Sequence, residues 1–125
     1  MGSKEEKAFY YVIWELDNES IGHSNINKIR YGKEASMHLH VWPQQSRKQG
    51  LGTQFVRMTL SHYFEQFQLM VLYCEPNALN EVPNKTLRKV GFECIEQREM
   101  VPGWINFYQP INRYRMTRAQ YEILL

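Results

Sequence analysis

The sequence predicts a mixed α/β (α+β) domain in which an antiparallel strand meander is followed by a helix-linked pair of parallel strands. Three observations carry this. Before Pro43, aromatic and β-branched residues gather in short runs between turn formers; after Leu51 the apolar spacing turns helical; an apolar run at 69–74 then follows that helix directly. The 125 residues suit one domain with a single core. Residues 1–7 read as a charged lead-in or tag remnant and 8–125 as the folded unit.

Residues 8–16 (AFYYVIWEL) have strand composition and end at the turn-forming cluster Asp17-Asn18-Glu19-Ser20. Residues 20–29 place Ile21, Ile26 and Ile29 among polar residues, and 31–34 (YGKE) break the run before a third strand at 35–42. From 51 to 66, Val56, Leu60, Tyr63, Phe64 and Phe67 fall at helical spacing. The near-continuous apolar run 69–74 reads as a strand buried on both faces, stopped by Pro76. Pro83 suits the first turn of a second helix that runs through Leu87 and Val90 and stops at Gly91. Strand, helix, strand, helix implies a crossover and a parallel strand pair. Residues 92–101 and 104–115 supply two more strands, the latter interrupted by Pro110 and so expected at an edge or bulge. Thr117 is placed to cap a short terminal helix.

Composition excludes several classes. Fifteen basic against 13 acidic residues give a formal charge of +2, too balanced for a protein dedicated to nucleic acid. No apolar run approaches the roughly 20 residues of a membrane helix. Two cysteines and no signal-like segment point to a reduced, cytoplasmic setting.

The stretch SRKQGLG (46–52) puts two glycines at the mouth of the first helix, led in by Arg47 and Lys48. A helix start presents unpaired N–H groups and a positive dipole end, so bare backbone there suits an anion such as phosphate. The spacing is wrong for a P-loop, which needs four residues between its glycines, and for a dinucleotide fingerprint, which needs a third glycine.

Arg47-Lys48-Gln49-Gly50-Leu51-Gly52 resembles the Arg/Gln-x-x-Gly-x-Gly/Ala signature of the GCN5-related N-acetyltransferase (GNAT) family. Asn80, eleven residues before Gly91-Phe92, and the intervening Leu87-Arg88-Lys89-Val90 resemble that family's second motif. The resemblance implies a single fold with a splayed strand pair and acetyl-coenzyme A as acyl donor. Backbone from Leu39 through Val41 and Trp42 would pair with the pantetheine arm. Arg47, Lys48, Gln49, Gly50, Leu51, Gly52 and Thr53 would surround the pyrophosphate, and Asn80 and Asn84 would bind the arm from the second side. The implied reaction is direct attack of a primary amine, on a small molecule or a peptide, upon the thioester. No metal is required.

Two departures from the family pattern stand out. Leu87 occupies the position where many members carry a tyrosine that protonates the leaving thiolate; Tyr73, Tyr108 or a bound water are substitutes. The chain also opens on what resembles the family's second strand, lacking the usual first strand and two helices. That leaves acceptor-wall surface to a partner, to residues 104–114 or to a longer front, and an uncovered apolar sheet predicts a homodimer.

His38 and His40 share one strand face, and His40, nearer the expected splay, is the first candidate proton acceptor. The alternative is a hydrogen-bonded pair of sheet histidines. Glu75 ends the buried strand, as a base, an amine ligand or an acceptor of backbone hydrogen bonds. Cys74, in an apolar run, reads as a structural thiol. The rival to an enzyme is a non-catalytic coenzyme A-binding or dimerisation module that keeps the cradle.

Overall fold

The computed structural model describes residues 10–16, 19–41, 51–100 and 109–125. Six strands form one sheet: β1 (Tyr10–Leu16), β2 (Glu19–Arg30), β3 (Glu34–Val41), β4 (Val71–Cys74), β5 (Glu93–Met100) and β6 (Gln109–Thr117). Their order across the sheet is β1-β2-β3-β4-β6-β5. Every pairing is antiparallel except β3 with β4, the parallel pair that the strand-helix-strand order demands.

The helix α1 (Leu51–Gln66) links β3 to β4, and α2 (Glu81–Val90) links β4 to β5. Val56, Leu60, Tyr63 and Phe64 of α1 and Leu87 and Val90 of α2 are buried against Ile26, Met37, Leu39, Leu72, Tyr114 and Met116 of the sheet. Alternation along the strands decides which side this is. On β3, Ala35, Met37 and Leu39 are buried while His38 and His40 are exposed; on β4, Leu72 and Cys74 are buried while Val71 and Tyr73 are half-buried.

Local chemistry ends each helix where the sequence marks it. Gln68 takes a left-handed conformation (φ 52°), and the Leu69 N–H then bonds the Phe64 carbonyl at 3.1 Å. Arg118 completes the seal, donating from Nε to the Leu69 carbonyl (2.8 Å) and from a terminal nitrogen to the Phe64 carbonyl (2.9 Å). Gly91, at φ 121°, turns the chain out of α2, with its own N–H and that of Phe92 on the Leu87 carbonyl. Thr117 caps α3 (Arg118–Ile123) through a capping box with Gln120.

Three expectations are corrected. Among the described residues, 69–74 are not covered on both sides, because both linking helices pack on the face of Leu72 and Cys74 and Val71 and Tyr73 are only half-buried. β6 is internal and β5 is the edge; Pro110 is tolerated because it enters at the second residue of β6, while its carbonyl still accepts from Ala78. The open face of the sheet is mainly polar among the described residues, carrying His23, Asn25, Ser36, His38, His40, Tyr73, Arg113 and Arg115, with Val71 beside them.

Candidate active site

The β3–β4 ladder stops early. Pairing runs from Glu34 with Val71 to Met37 with Cys74, whereas β3 continues to Val41 and β4 ends. The strands part there, and the gap is a cleft of about 200 Å³ lined by residues 37–40, 74–77, Asn80 and Pro83. The edge of β3 at residues 39–41 is left without a β4 partner among the described residues, so the alternate amides and carbonyls not turned toward β2 face the cleft side.

Two buried polar networks fix the walls. On the first, Tyr63 of α1 donates its hydroxyl to Ser24 Oγ (2.9 Å), and Ser24 donates to the His38 carbonyl (2.9 Å). That relay ties α1, β2 and β3 together at His38. On the second, Asn84 Nδ2 donates to the carbonyls of Asn77 (3.0 Å) and Asn80 (2.7 Å), while its Oδ1 accepts from Asn112 and from the Tyr114 hydroxyl, both at 2.7 Å. Asn84 is buried and its hydrogen-bonding capacity is spent inside the protein. It holds the 77–80 loop through these internal bonds.

Asn80 is the complement. It is the N-cap residue of α2, yet its exposed side chain makes no capping bond, so the amide is left for the cleft that it lines. Leu51, Gly52 and Thr53 form the first turn of α1, which contains no acidic residue and whose leading N–H groups have no intrahelical acceptor. Trp42, Arg47, Lys48, Gln49 and Gly50 lie outside the described residues, as does Tyr108.

At the mouth of the cleft His38, His40 and Glu75 come together. His40 pairs across the ladder with His23, their rings 4.7 Å apart. Partial desolvation at the sheet surface, helped by the neighbouring His40, lowers both His23 and His38 from the ordinary imidazole value; Lys28 acts on His38 in the same direction and Glu75 opposes it. Both shifts favour the neutral imidazole. Glu75 sits in an ion pair with Arg113, Nε to Oε2 3.0 Å.

Tyr73 is not among the residues that line the cleft. It lies on the open face, with the Arg113 guanidinium stacked 4.2 Å from its ring centroid. Cys74 does line the cleft, but burial, reinforced by the adjacent Glu75 carboxylate, pushes its thiol up to about 12, so it stays protonated and inert as expected. Leu87 is fully buried. Arg115 pairs with Glu93 at 3.0 Å, and Arg118 is committed to the end of α1. Among the described residues no cluster of His, Cys, Asp and Glu could hold a metal ion, and no helix is long and apolar enough to cross a membrane. Sequence reading missed the Arg113–Glu75 pair and the Tyr63–Ser24 relay, because both need the strand register, which brings together residues 38 and 39 positions apart.

The acetyltransferase (GNAT) domain family model matches residues 1–93. No curated protein matches the chain in sequence. Among solved structures, the fold is similar to spermidine N-acetyltransferase from Vibrio cholerae, solved with CoA and spermine, at TM-score 0.75 and 18% identity over 92% of this chain and 69% of that one. It is also similar to the acetyl transferase from Salmonella typhimurium that modifies the N-terminal serine of ribosomal protein L7/L12, at TM-score 0.73 and 17% identity over 87% of this chain and 63% of that one. With the family model spanning most of its length, the chain belongs to the GNAT acetyltransferase family, whose enzymes use acetyl-coenzyme A.

Proposed function

We propose that this chain is an N-acetyltransferase that moves the acetyl group of acetyl-coenzyme A to a primary amine by direct attack on the thioester. The observation that carries this reading is the early end of the β3–β4 ladder, which opens a cleft edged by free strand backbone and lined by His38, His40, Glu75 and Asn80. The residues fit the donor: backbone at Leu39 and Val41 suits the amides of a pantetheine arm, Asn80 has an uncommitted side-chain amide, and 51–53 open a helix toward an anion. Trp42, Arg47, Lys48, Gln49 and Gly50 complete that holding set. When bound, the donor supplies the activated acyl carbon.

The chain's own residues position and deprotonate the amine. His40, with His38 beside it, takes the proton, and Glu75 draws the cationic amine to the mouth before the proton is lost. Tyr73 serves as a platform rather than as the general acid, and a bound water protonates the thiolate where Leu87 cannot. Polyamines and peptide N-termini, the acceptors of the two structural relatives, are the first classes to try. The protein works in the reduced cytoplasm as a homodimer, with the exposed apolar side chains Met58, Met70, Ile123 and Leu125 as candidate contacts.

The buried Leu87 favours a second reading, a coenzyme A-binding module without chemistry. Thiol release from acetyl-coenzyme A against spermidine, a lysine peptide and a free N-terminal peptide separates the two. The enzyme releases thiol only when an acceptor is present, whereas tight binding without acceptor-dependent release identifies the module. A monomeric mass by light scattering at micromolar concentration would exclude the dimer.

A further inference from the structure

Resting on the acyl-transfer reading, we propose that His23 is a positioning residue of the site: from β2 its ring packs on that of His40 and holds the proton-accepting imidazole at the cleft mouth.

The strand register shows where the support comes from. The β3–β4 ladder ends at Met37 with Cys74, so beyond it β2 is the strand that flanks β3 among the described residues. His40 lies three residues past that end, directly opposite His23, and the β2–β3 ladder closes one pair later at Gly22 with Val41. Directly opposed residues project from the same face of a sheet. Here the two rings meet with centroids 4.7 Å apart and planes 34° from parallel, the spacing of a packed aromatic pair. His40 is exposed and His23 half-buried, so the ring with more protein around it backs the one that meets solvent.

The next pair on the same face is a natural comparison. His38, two residues back, stands opposite Asn25, which brings no ring. Both histidines line the cleft, but among the described residues only His40 is backed by an aromatic partner.

The contact suits the proposed chemistry. As the amine nitrogen bonds the acyl carbon, its proton passes to His40 and that ring becomes cationic. The face of a neutral ring beside it favours the cation, whereas a second imidazolium repels it. Partial desolvation, with His40 acting in the same sense, lowers His23 and so favours its neutral form. The charged and titratable groups around the pair are His38 on β3, Lys28 on β2, Glu75 at the end of β4 and Arg113 paired with it; β1 sets Ile13 opposite His23, with Glu15 two residues further along.

The test combines steady-state kinetics with NMR titration of His23. His23→Ala lowers kcat at neutral pH about tenfold and leaves KM for acetyl-coenzyme A unchanged. His23→Phe, which restores a ring without a titrating group, recovers most of that loss. In a His40→Ala background His23→Ala costs nothing more, because His23 acts only through His40. His40→Phe raises the His23 midpoint by about half a unit, since a like charge is removed. Asn25→Ala changes neither readout. If His23→Ala does not fold, His23→Val keeps a strand former without the ring and shows the same loss. The proposal is overturned if the ring-free variant keeps wild-type kcat, if His23→Phe is as impaired as that variant, if the losses at His23 and His40 multiply, or if His40→Phe leaves the His23 midpoint where it was. The titration is read on the free protein, so it stands apart from failure of the acyl-transfer reading, which shows instead as wild-type protein without acceptor-dependent thiol release.

Discussion

The two faces of this sheet are made by the same strands and have opposite characters. Toward α1 and α2, β3 and β4 present Ala35, Met37, Leu39, Leu72 and Cys74, all buried. Toward the open side the intervening positions are Ser36, His38, His40, Val71 and Tyr73, joined by Arg113 and Arg115 from β6. One register of each strand serves the fold and the other is free for chemistry, so mutational effects should separate by face: stability on one, rate on the other.

The sharpest break of that contrast comes from the covered face. Leu72→Ala removes a fully buried side chain between strand and helices and should cost about 3 kcal/mol, read as a lower midpoint in urea unfolding. On the open face His40→Ala should lower kcat/KM about a hundredfold while changing unfolding free energy by less than about 0.5 kcal/mol. Equal stability losses at both positions would erase the distinction. Asn84→Ala crosses it, since Asn84 is buried yet holds the cleft loop. Stranding the Asn112 and Tyr114 donors and the Asn77 and Asn80 carbonyls should cost about 2 kcal/mol and raise KM for acetyl-coenzyme A several-fold.

The smallest effect is in pH. His23 and His38 titrate below the ordinary range in the folded protein, so below about pH 6.5 the unfolded chain binds more protons than the folded one. Stability is therefore full above that pH and declines as the pH falls through the lowered values. His38→Asn should flatten this decline in thermal melts between pH 7.5 and 5.5.

The sequence made the helices legible because their signals are local. The periodicity of Val56, Leu60, Tyr63 and Phe64 marked α1 with the bounds 51–66 that the structure shows, Gly91 marked the end of α2, and Thr117 marked the cap of α3. Strand position was harder, because an apolar run such as 69–74 looks alike whether one face or two are covered. Pro110 suggested an edge, but a proline at a strand's entrance leaves the rest of the ladder intact. His38, His40, Glu75 and Asn80 were identifiable as cleft residues through the motifs around them. The partners of Asn84 and Tyr73 were not legible, since Asn112, Tyr114 and Arg113 come from a strand more than twenty positions later.

The central claim is that the parting of β3 from β4 receives acetyl-coenzyme A along the free edge of β3. Amide hydrogen exchange with and without acetyl-coenzyme A tests it most directly. The account predicts new protection confined to residues 39–41, the loop at Asn80 and the start of α1, with none at the distant strand Tyr10–Leu16. Binding that leaves exchange at 39–41 unchanged would contradict it.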